Sequence, residues 1–136
     1  MANDLMLPGA IANGDLSTRQ FYVVRLTGST IAGGFEVGVT TALTQRPIGI
    51  LTNDPNTSGQ GAEVVLSGIV KAQYGDTITI GQALSFGTDG RVAPILIDST
   101  DALSKRYVIG QALQAGTSGE VRYINLQRPY IYASTG

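Results

Sequence analysis

The chain has 136 residues, a length that suits one domain with its own core, and it contains neither cysteine nor histidine. Disulfide frameworks, zinc sites built from thiolate or imidazole, and Ser-His-Asp or Cys-His catalysis are therefore excluded. Only 14% of the residues are charged and the net charge is −1, against about 25% charged in a typical soluble domain. Because binding to a phosphate backbone depends on clustered Lys and Arg, we expect no nucleic-acid partner.

The glycine content favours β-structure, and the lack of long apolar runs argues against a membrane-spanning helix. The chain contains 18 glycines, which favour turns and β-structure because Gly costs about 1 kcal/mol relative to Ala inside a helix. No basic segment followed by an apolar run opens the sequence, and no apolar run is long enough to cross a bilayer. We therefore expect a soluble protein without a membrane partner.

The first half of the chain predicts an arm followed by strands. Residues 1–19 are interrupted by Pro8, Gly9 and Gly14, and we interpret them as an N-terminal arm. Gly68 lies inside an apolar run and predicts a bulge or a corner. Runs of aromatic and β-branched residues bounded by turn formers predict strands at 20–26, 35–39, 47–51 and 62–72.

The second half continues the pattern with short strands. Asp89-Gly90 is typical of a hairpin turn, and residues 97–106 predict one helical turn capped by Ser99 or Thr100. Residues 120–126 alternate, with Val121, Tyr123 and Asn125 on one face and Arg122, Ile124 and Leu126 on the other. Strands are predicted at 77–80, 83–86, 91–95, 107–113 and 120–126.

About eight short strands separated by turns predict an all-β domain, either a sandwich or a small β-barrel. This β domain would span 20–128, between the arm and a C-terminal tail at 129–136. The segment Ile80 to Leu84 recurs as Ile109 to Leu113, with the same order Ile-Gly-Gln-Ala-Leu. Two copies are too few for a repeat array. The recurrence therefore reflects similar packing of the two segments or arises by chance.

Residues that could perform chemistry are sparse. Asp98 and Asp101 could form a carboxylate pair, but they lie in a polar stretch where solvated turn residues are common. Ser67 and Lys71 do not have the spacing of a Ser-Lys nucleophile. The oxygen-rich loop with Asn53, Asp54, Asn56 and Glu63 does not have the spacing of a dedicated calcium site. We expect no enzyme activity, no metal and no cofactor.

The tail carries apolar residues that require a partner surface. Tyr130, Ile131 and Tyr132 lie close to the terminus, and aromatic residues there must bury against the domain, a second copy or another protein. A surface poor in charge favours association, because interface cores are depleted in charged groups. We interpret these residues as a candidate oligomer or partner interface, with packing on the domain itself as the alternative.

The stretch from about Pro47 to Leu126 resembles small phage head decoration proteins, also called capsid cement proteins, through the order of its small and apolar residues. The resemblance rests on an apolar strand with a central Gly, a β segment with a Gly bulge, an apolar-Gly-x-Ala step followed by a D-G turn and a basic residue, and a closing pair of strands. These are Pro47-Ile48-Gly49-Ile50, Val64 to Val70, Ile80-Gly81-Gln82-Ala83-Leu84 with Asp89-Gly90-Arg91, Ile109-Gly110-Gln111-Ala112, and Gly119 to Leu126.

The resemblance implies a β-barrel or β-tulip-like fold with an extended N-terminal arm, a homotrimer, and docking on the major capsid protein at three-fold positions of the head shell. The protein would be made in the host cytoplasm and would lie on the capsid exterior. Relatives of this kind often use the arm to add a strand to the coat protein, a mode that exposed strand edges permit. On this basis the capsid-contact residues are predicted to be Asn3, Leu5, Met6, Leu7 and Pro8.

Two other classes are compatible with the composition. Another virion component, such as a fibre or tail part, would share the β-rich character and the low charge. A carbohydrate-binding β module would need exposed aromatic side chains on a sheet face, for which Tyr123, Tyr130 and Tyr132 are the candidates.

Overall fold

Every regular element in the described part of the chain is a β-strand, which confirms the predicted all-β class. The computed structural model describes residues 5–27, 34–95 and 105–133, the last with backbone alone at 105–106 and 130–133. The ten strands are β1 (Leu5–Met6), β2 (Ala10–Ala12), β3 (Val23–Leu26), β4 (Phe35–Val39), β5 (Gly49–Leu51), β6 (Val64–Gln73), β7 (Ala83–Phe86), β8 (Val92–Pro94), β9 (Lys105–Ala112) and β10 (Val121–Ala133).

The long strand β6 joins two sets of strands. The pairing order is β2-β4-β3-β5-β6-β10-β9-β7-β8, and β1 also pairs with β6. The pair β2 and β4 is parallel, and the other pairs between strands are antiparallel. We call β1 to β5 with the start of β6 the N-terminal sheet, and the rest of β6 with β7 to β10 the C-terminal sheet.

This order is not closed into one ring, but both of its ends return toward β6. In the N-terminal sheet, Ile11 of β2 forms a bridge with Gly61, just before β6. In the C-terminal sheet, Val92 of β8 forms a parallel bridge with Tyr74, just after β6. Each sheet therefore curves around its own core. The two sheets are barrel-like halves that share β6.

Two short strands, β3 and β5, and the start of β6 lie between the halves and are buried on both faces. In each of them two successive residues are almost fully buried and belong to different cores, because neighbouring side chains of a strand point to opposite faces. This double burial explains why these strands are continuous apolar runs in the sequence and do not alternate with polar residues. The pairs are Val23 and Val24, Ile50 and Leu51, and Val65 and Val64, with the first of each pair in the larger core.

The two cores differ in composition. The larger core contains the aromatic side chains of Tyr74 and Phe86, both fully buried, and lies mainly inside the C-terminal sheet. The smaller core lies inside the N-terminal sheet and contains aliphatic residues, several of them alanine. Its members are Ala10, Ala12, Leu16, Val24, Val37, Leu51, Ala62 and Val64.

The predicted corner at Gly68 is confirmed. Residues of β6 up to Ser67 pair with strands of the N-terminal sheet, and from Gly68 onward they pair with β10. Gly68 has a φ of 120°, a backbone conformation that glycine adopts readily and other residues avoid. This residue therefore lets β6 pass from one sheet to the other without interruption.

Two strand predictions were wrong in part. The first predicted strand begins at Val23 and not at residue 20, because the preceding residues form a turn in which Phe21 has a φ of 71°. Residues 77–80 form a single bridge, from Ile78 to Gly116, and no strand. There the side chain of Gln82 accepts hydrogen bonds from the backbone N–H and hydroxyl of Thr79, and such local bonds compete with a ladder.

The predicted helical turn at 97–106 lies mostly outside the described residues, as do its candidate caps. Its last two residues, Lys105 and Arg106, begin β9. For these two residues the helical prediction was wrong, because the chain there pairs along the end of β10.

Segments predicted as arm and tail both contribute strands. Residues 5–12 form β1 and β2, and Ala12 and Leu16 are buried in the smaller core. At the other end, β10 extends to Ala133 and pairs with β9 beyond Tyr130. In their described parts, these segments therefore pack on the β domain.

Candidate docking surface

The first described residues form an edge strand with exposed apolar side chains. In β1, Leu5 pairs with Ser67 and Met6 pairs with Val65, and the side chains of Leu5 and Met6 are 58% and 41% exposed. Within the described residues, β1 pairs with β6 alone. Its second edge can therefore accept another strand.

The other predicted capsid-contact residues have different surroundings. Pro8 is exposed, whereas Leu7 is half-buried, packs against the smaller core and donates its backbone N–H to Val64 at 2.9 Å. Asn3 lies outside the described residues. The exposed part of the predicted contact segment therefore consists of Leu5, Met6 and Pro8.

The predicted tail interface is described through its backbone. Tyr130, Ile131 and Tyr132 continue β10 and pair with Val108, Tyr107 and Arg106. The register shifts between Leu126 and Tyr130. The three residues therefore lie on the β9–β10 ribbon, and their role as an interface stays a prediction.

A groove of about 590 Å³ lies where β1 and the end of β10 approach each other. Its apolar side chains come from five separate stretches of the chain, and the cationic side chains of Arg46 and Arg128 stand among them. Among the described residues, no acidic side chain lines it. The lining residues are Leu5, Arg46, Pro47, Ile48, Leu66, Ser67, Tyr107, Arg128 and Pro129.

A second groove of about 400 Å³ adjoins the first along the segment 46–48. Arg25 and Leu26 of β3 and the side chain of Gln45 form its other lining. Gln45 folds back on its own turn, where its Oε1 accepts the backbone N–H of Thr41 at 2.7 Å. Together the two grooves form one apolar surface with three arginines, which we call the arginine groove.

The arginines of this groove have no acidic partner among the described residues. Within the described part of the chain, the ion pairs are Arg91 with Asp89 and Arg122 with Glu120. Arg46 and Arg128 are exposed, and the Nε of Arg25 is buried without a hydrogen-bond partner among the described residues. The groove therefore has a local positive charge in a chain whose net charge is −1.

A second apolar surface covers the outer face of the C-terminal sheet. Ile69, Ile80, Leu113 and Tyr123 are each more than one third exposed, and the ammonium of Lys71 lies 5.6 Å from the centre of the Tyr123 ring. Of the three tyrosines predicted as a sugar platform, Tyr123 thus lies on an open sheet face. The side chains of the other two are not described.

One of the side chains considered for chemistry, that of Asn53, has a structural role. No cluster of three or more acidic side chains that could hold a metal ion occurs in the described ranges. The amide group of Asn53, in the oxygen-rich loop, accepts the N–H of Glu63 at 2.9 Å and donates to the carbonyl of Gly61 at 3.1 Å. Asp98 and Asp101 lie outside the described residues.

No helix suited to crossing a membrane occurs within 5–27, 34–95 or 105–133.

The sequence prediction of contact residues includes Leu5 and does not include the arginines of the groove. Arg25, Arg46 and Arg128 lie far apart in the chain, and β-pairing brings them to one surface. A partial signal was present: each has no acidic residue within four positions on either side, whereas Arg91 and Arg122 follow their acidic partners by two residues.

Comparison with solved structures gives a structural relative from a bacteriophage. The fold is similar to that of the N base of head fiber gp8.5 in bacteriophage phi29, with a TM-score of 0.65 and 16% sequence identity. The match covers 92% of this chain and 95% of that chain. No protein-family model and no curated protein matches the sequence. The two proteins therefore share a fold over almost their full lengths.

Proposed function

We propose that the protein is a structural component of a bacteriophage head, which docks on the outside of the shell as a homotrimer and stabilises it. The observation that carries the proposal is the shared fold with the base of a phage head fiber, extending over 92% of the chain. The order of small and apolar residues that resembles capsid cement proteins supports the same setting independently. The partner would be the major capsid protein.

The groove and the edge strand suit a docking role. Exposed Leu5 and Met6 offer apolar side chains, and the second edge of β1 offers backbone donors and acceptors to an incoming strand. Weak contacts of this kind become effective when a trimer engages several sites at once. Stabilisation of the shell by occupancy of many such sites is the proposed mechanism, without enzyme activity.

A second candidate function is the base of a head fibre. The structural relative is itself described as the N base of a head fiber, so the same fold can belong to a protein that anchors a projecting part. In that case the proposed role on the shell would be attachment and not reinforcement.

Imaging of phage heads distinguishes these roles. Heads that lack the protein would be mixed with the purified full chain and examined by cryo-electron microscopy, and the solution mass would be measured by light scattering. We expect trimers in solution, density at three-fold positions, and heads that release their genome at a higher temperature than bare heads. A monomer with no density on the shell would overturn the proposal, and density without a change in head stability would favour the fibre base.

A matched pair of variants tests the docking strand. Leu5→Asp combined with Met6→Asp places two charges on β1, and we expect occupancy on heads to fall strongly because charged groups must then be desolvated on docking. Ile80→Asp is the control, since Ile80 is 71% exposed and lies outside the groove. Equal occupancy by both variants would remove β1 from the docking surface.

A further inference from the structure

We infer that the arginine groove binds an extended polypeptide segment that carries both apolar and acidic side chains. The inference deepens the proposed function, on which it rests, by giving the chemistry of the shell segment that the protein would recognise. The apolar floor, a described lining without acidic side chains, and arginines that form no ion pair among the described residues each contribute to it.

The floor of the groove selects apolar side chains. Ile48, Leu66 and Tyr107 are partly buried, so each still offers apolar surface to a ligand. Removing such surface from water contributes about 25 cal/mol per Å². A wholly polar ligand would leave this contribution unused.

The arginines select carboxylates. Arg46 and Arg128 are exposed and form no ion pair among the described residues, and a guanidinium matches a carboxylate with two parallel hydrogen bonds. The Nε of Arg25 lies buried beside Leu26 without a hydrogen-bond partner within the described residues, and it is therefore out of reach of a ligand at the surface. An acidic segment would provide acceptors for the exposed Arg46 and Arg128.

The shape favours an extended chain. Two adjoining grooves, of about 590 and 400 Å³, share the wall at 46–48 and make an elongated surface. Side chains of an extended segment alternate between its two sides. Apolar side chains can thus enter the floor while acidic ones reach the arginines at the rim.

Nucleic acid fits this surface less well. Binding of a phosphate backbone needs many cationic groups in a row, and this groove offers three in a chain of net charge −1. Among the described residues its floor contributes one aromatic ring, Tyr107, whereas single-stranded nucleic acid is usually held by successive stacking platforms. The groove chemistry therefore favours a polypeptide.

Peptide binding to the full chain tests the inference directly. Capped peptides in which valine alternates with glutamate, glutamine or lysine would be titrated into isotope-labelled protein and followed by NMR, with a single-stranded oligonucleotide and anionic lipid vesicles in parallel. We expect the glutamate peptide to shift the signals of Ile48, Leu66 and Tyr107, and the lysine peptide to leave them unchanged. The effect should weaken with added salt, because exposed ion pairs are screened.

A charge-matched pair of variants locates the effect. Arg46→Gln combined with Arg128→Gln should weaken binding of the glutamate peptide by up to about fivefold for each arginine. Arg19→Gln combined with Lys71→Gln changes the net charge equally at residues that do not line the groove, and it should leave binding unchanged. The same two variants would then be added to phage heads.

Each result decides between the alternatives. The inference is overturned if the glutamate peptide does not bind, binds equally to both variants, or shifts residues away from the groove, or if the oligonucleotide or the vesicles bind in its place. Heads that take up the arginine variant as well as the wild type would also overturn it and leave the proposed function intact. Peptide binding at the groove by a protein that never docks on heads would instead refute the proposed function alone.

Discussion

The two cores of the molecule share β6 but differ in the size of their side chains and in the length of the strands around them. The larger core surrounds two buried aromatic rings, from Tyr74 and Phe86, and long strands enclose it. The smaller core contains several alanines, and strands of two to five residues surround it. Burial of large side chains dominates folding free energy, so the larger core should carry most of the stability.

The larger core provides stability, whereas the smaller core lies beside the candidate docking surface. The smaller core lies beside the edge strand β1 and next to the arginine groove, and regions of modest local stability are the usual location of binding segments. The larger core provides the rigid half on which these elements rest. Substitutions in each core test whether the two cores contribute differently to stability.

The largest effect is expected from truncating the aromatic centre of the larger core. Phe86→Ala removes a fully buried ring and should lower the free energy of unfolding by about 3–5 kcal/mol. Leu16→Ala in the smaller core should cost about 2 kcal/mol, because a site surrounded by short strands can relax around the cavity. Urea denaturation of both variants gives the two values. Equal losses of unfolding free energy in the two variants would contradict the expected difference between the cores.

A second test concerns two glycines packed against a neighbouring strand. A Cβ atom at Gly49 would collide with the carbonyl oxygen of Val65, and one at Gly110 with that of Asn125. Gly49→Ala and Gly110→Ala should each cost about 1–3 kcal/mol, because backbone must move in both cases. The control is Gly61→Ala, since a Cβ there meets no atom within 4 Å. A destabilisation by the control as large as that of the other two would contradict the packing argument.

The third test removes a single hydrogen bond at the end of the larger core. The hydroxyl of Tyr74 donates to the carbonyl of Gln114 at 2.7 Å, so Tyr74→Phe should cost about 0.5–1.5 kcal/mol. Burial raises the pKa of Tyr74 above 10. Its contribution is therefore fully present below pH 10 and is lost as the pH rises through the folded value, because the unfolded state releases the proton first.

Denaturation at neutral and alkaline pH measures both parts of this prediction. The wild type should lose more stability than Tyr74→Phe as the pH rises above 10. Parallel losses in the two proteins would show that another group controls the alkaline transition.

The smallest effect is expected in the loop between β9 and β10. The carboxylate of Glu120 accepts the backbone N–H of Thr117 at 2.7 Å and pairs with Arg122 at 2.8 Å. The hydrogen bonds from Thr117, aided by the charge of Arg122, hold the pKa of Glu120 below its ordinary value of 4.5. This stabilisation is present above pH 4.5 and decreases as the pH falls through the folded value.

Glu120→Gln should therefore reduce the acid sensitivity of unfolding slightly and leave the neutral-pH stability almost unchanged. Thermal unfolding of the variant and the wild type between neutral and acidic pH provides the measurement. A large loss at neutral pH would mean that this loop has a greater role in closing the larger core than its exposure indicates.

Much of the fold followed from local sequence pattern. The runs at 35–39 and 83–86 form strands with the predicted bounds because breakers enclose both. The predicted separation of Tyr123 from Ile124 and Leu126 is confirmed, because Tyr123 is exposed and the other two are buried. Residues 77–80 had the composition of a strand, yet the side-chain hydrogen bonds of Gln82 turn the chain there.

The arrangement of the two halves was not predictable in the same way. It depends on pairings between distant residues, such as Met6 with Val65 and Leu126 with Gly68, which no local pattern encodes. The repeated segment Ile-Gly-Gln-Ala-Leu is an example of such a distant pairing, because its two copies pair with each other through Leu84 and Gly110. The arginine groove depends on the same distant pairings, so its parts were visible in the sequence and their proximity was not.

The strands that are buried on both faces raise a problem of alignment. If β3 or the start of β6 slid along its neighbour by one position, its two adjacent valines would each turn toward the other core, and both cores would still receive a valine from that pair. A one-residue slip normally moves apolar side chains into water and is thereby prevented, and for these two pairs that penalty is reduced. Gly49 adds a separate constraint on the alignment of β5 with β6, because any side chain there would collide with the Val65 carbonyl oxygen.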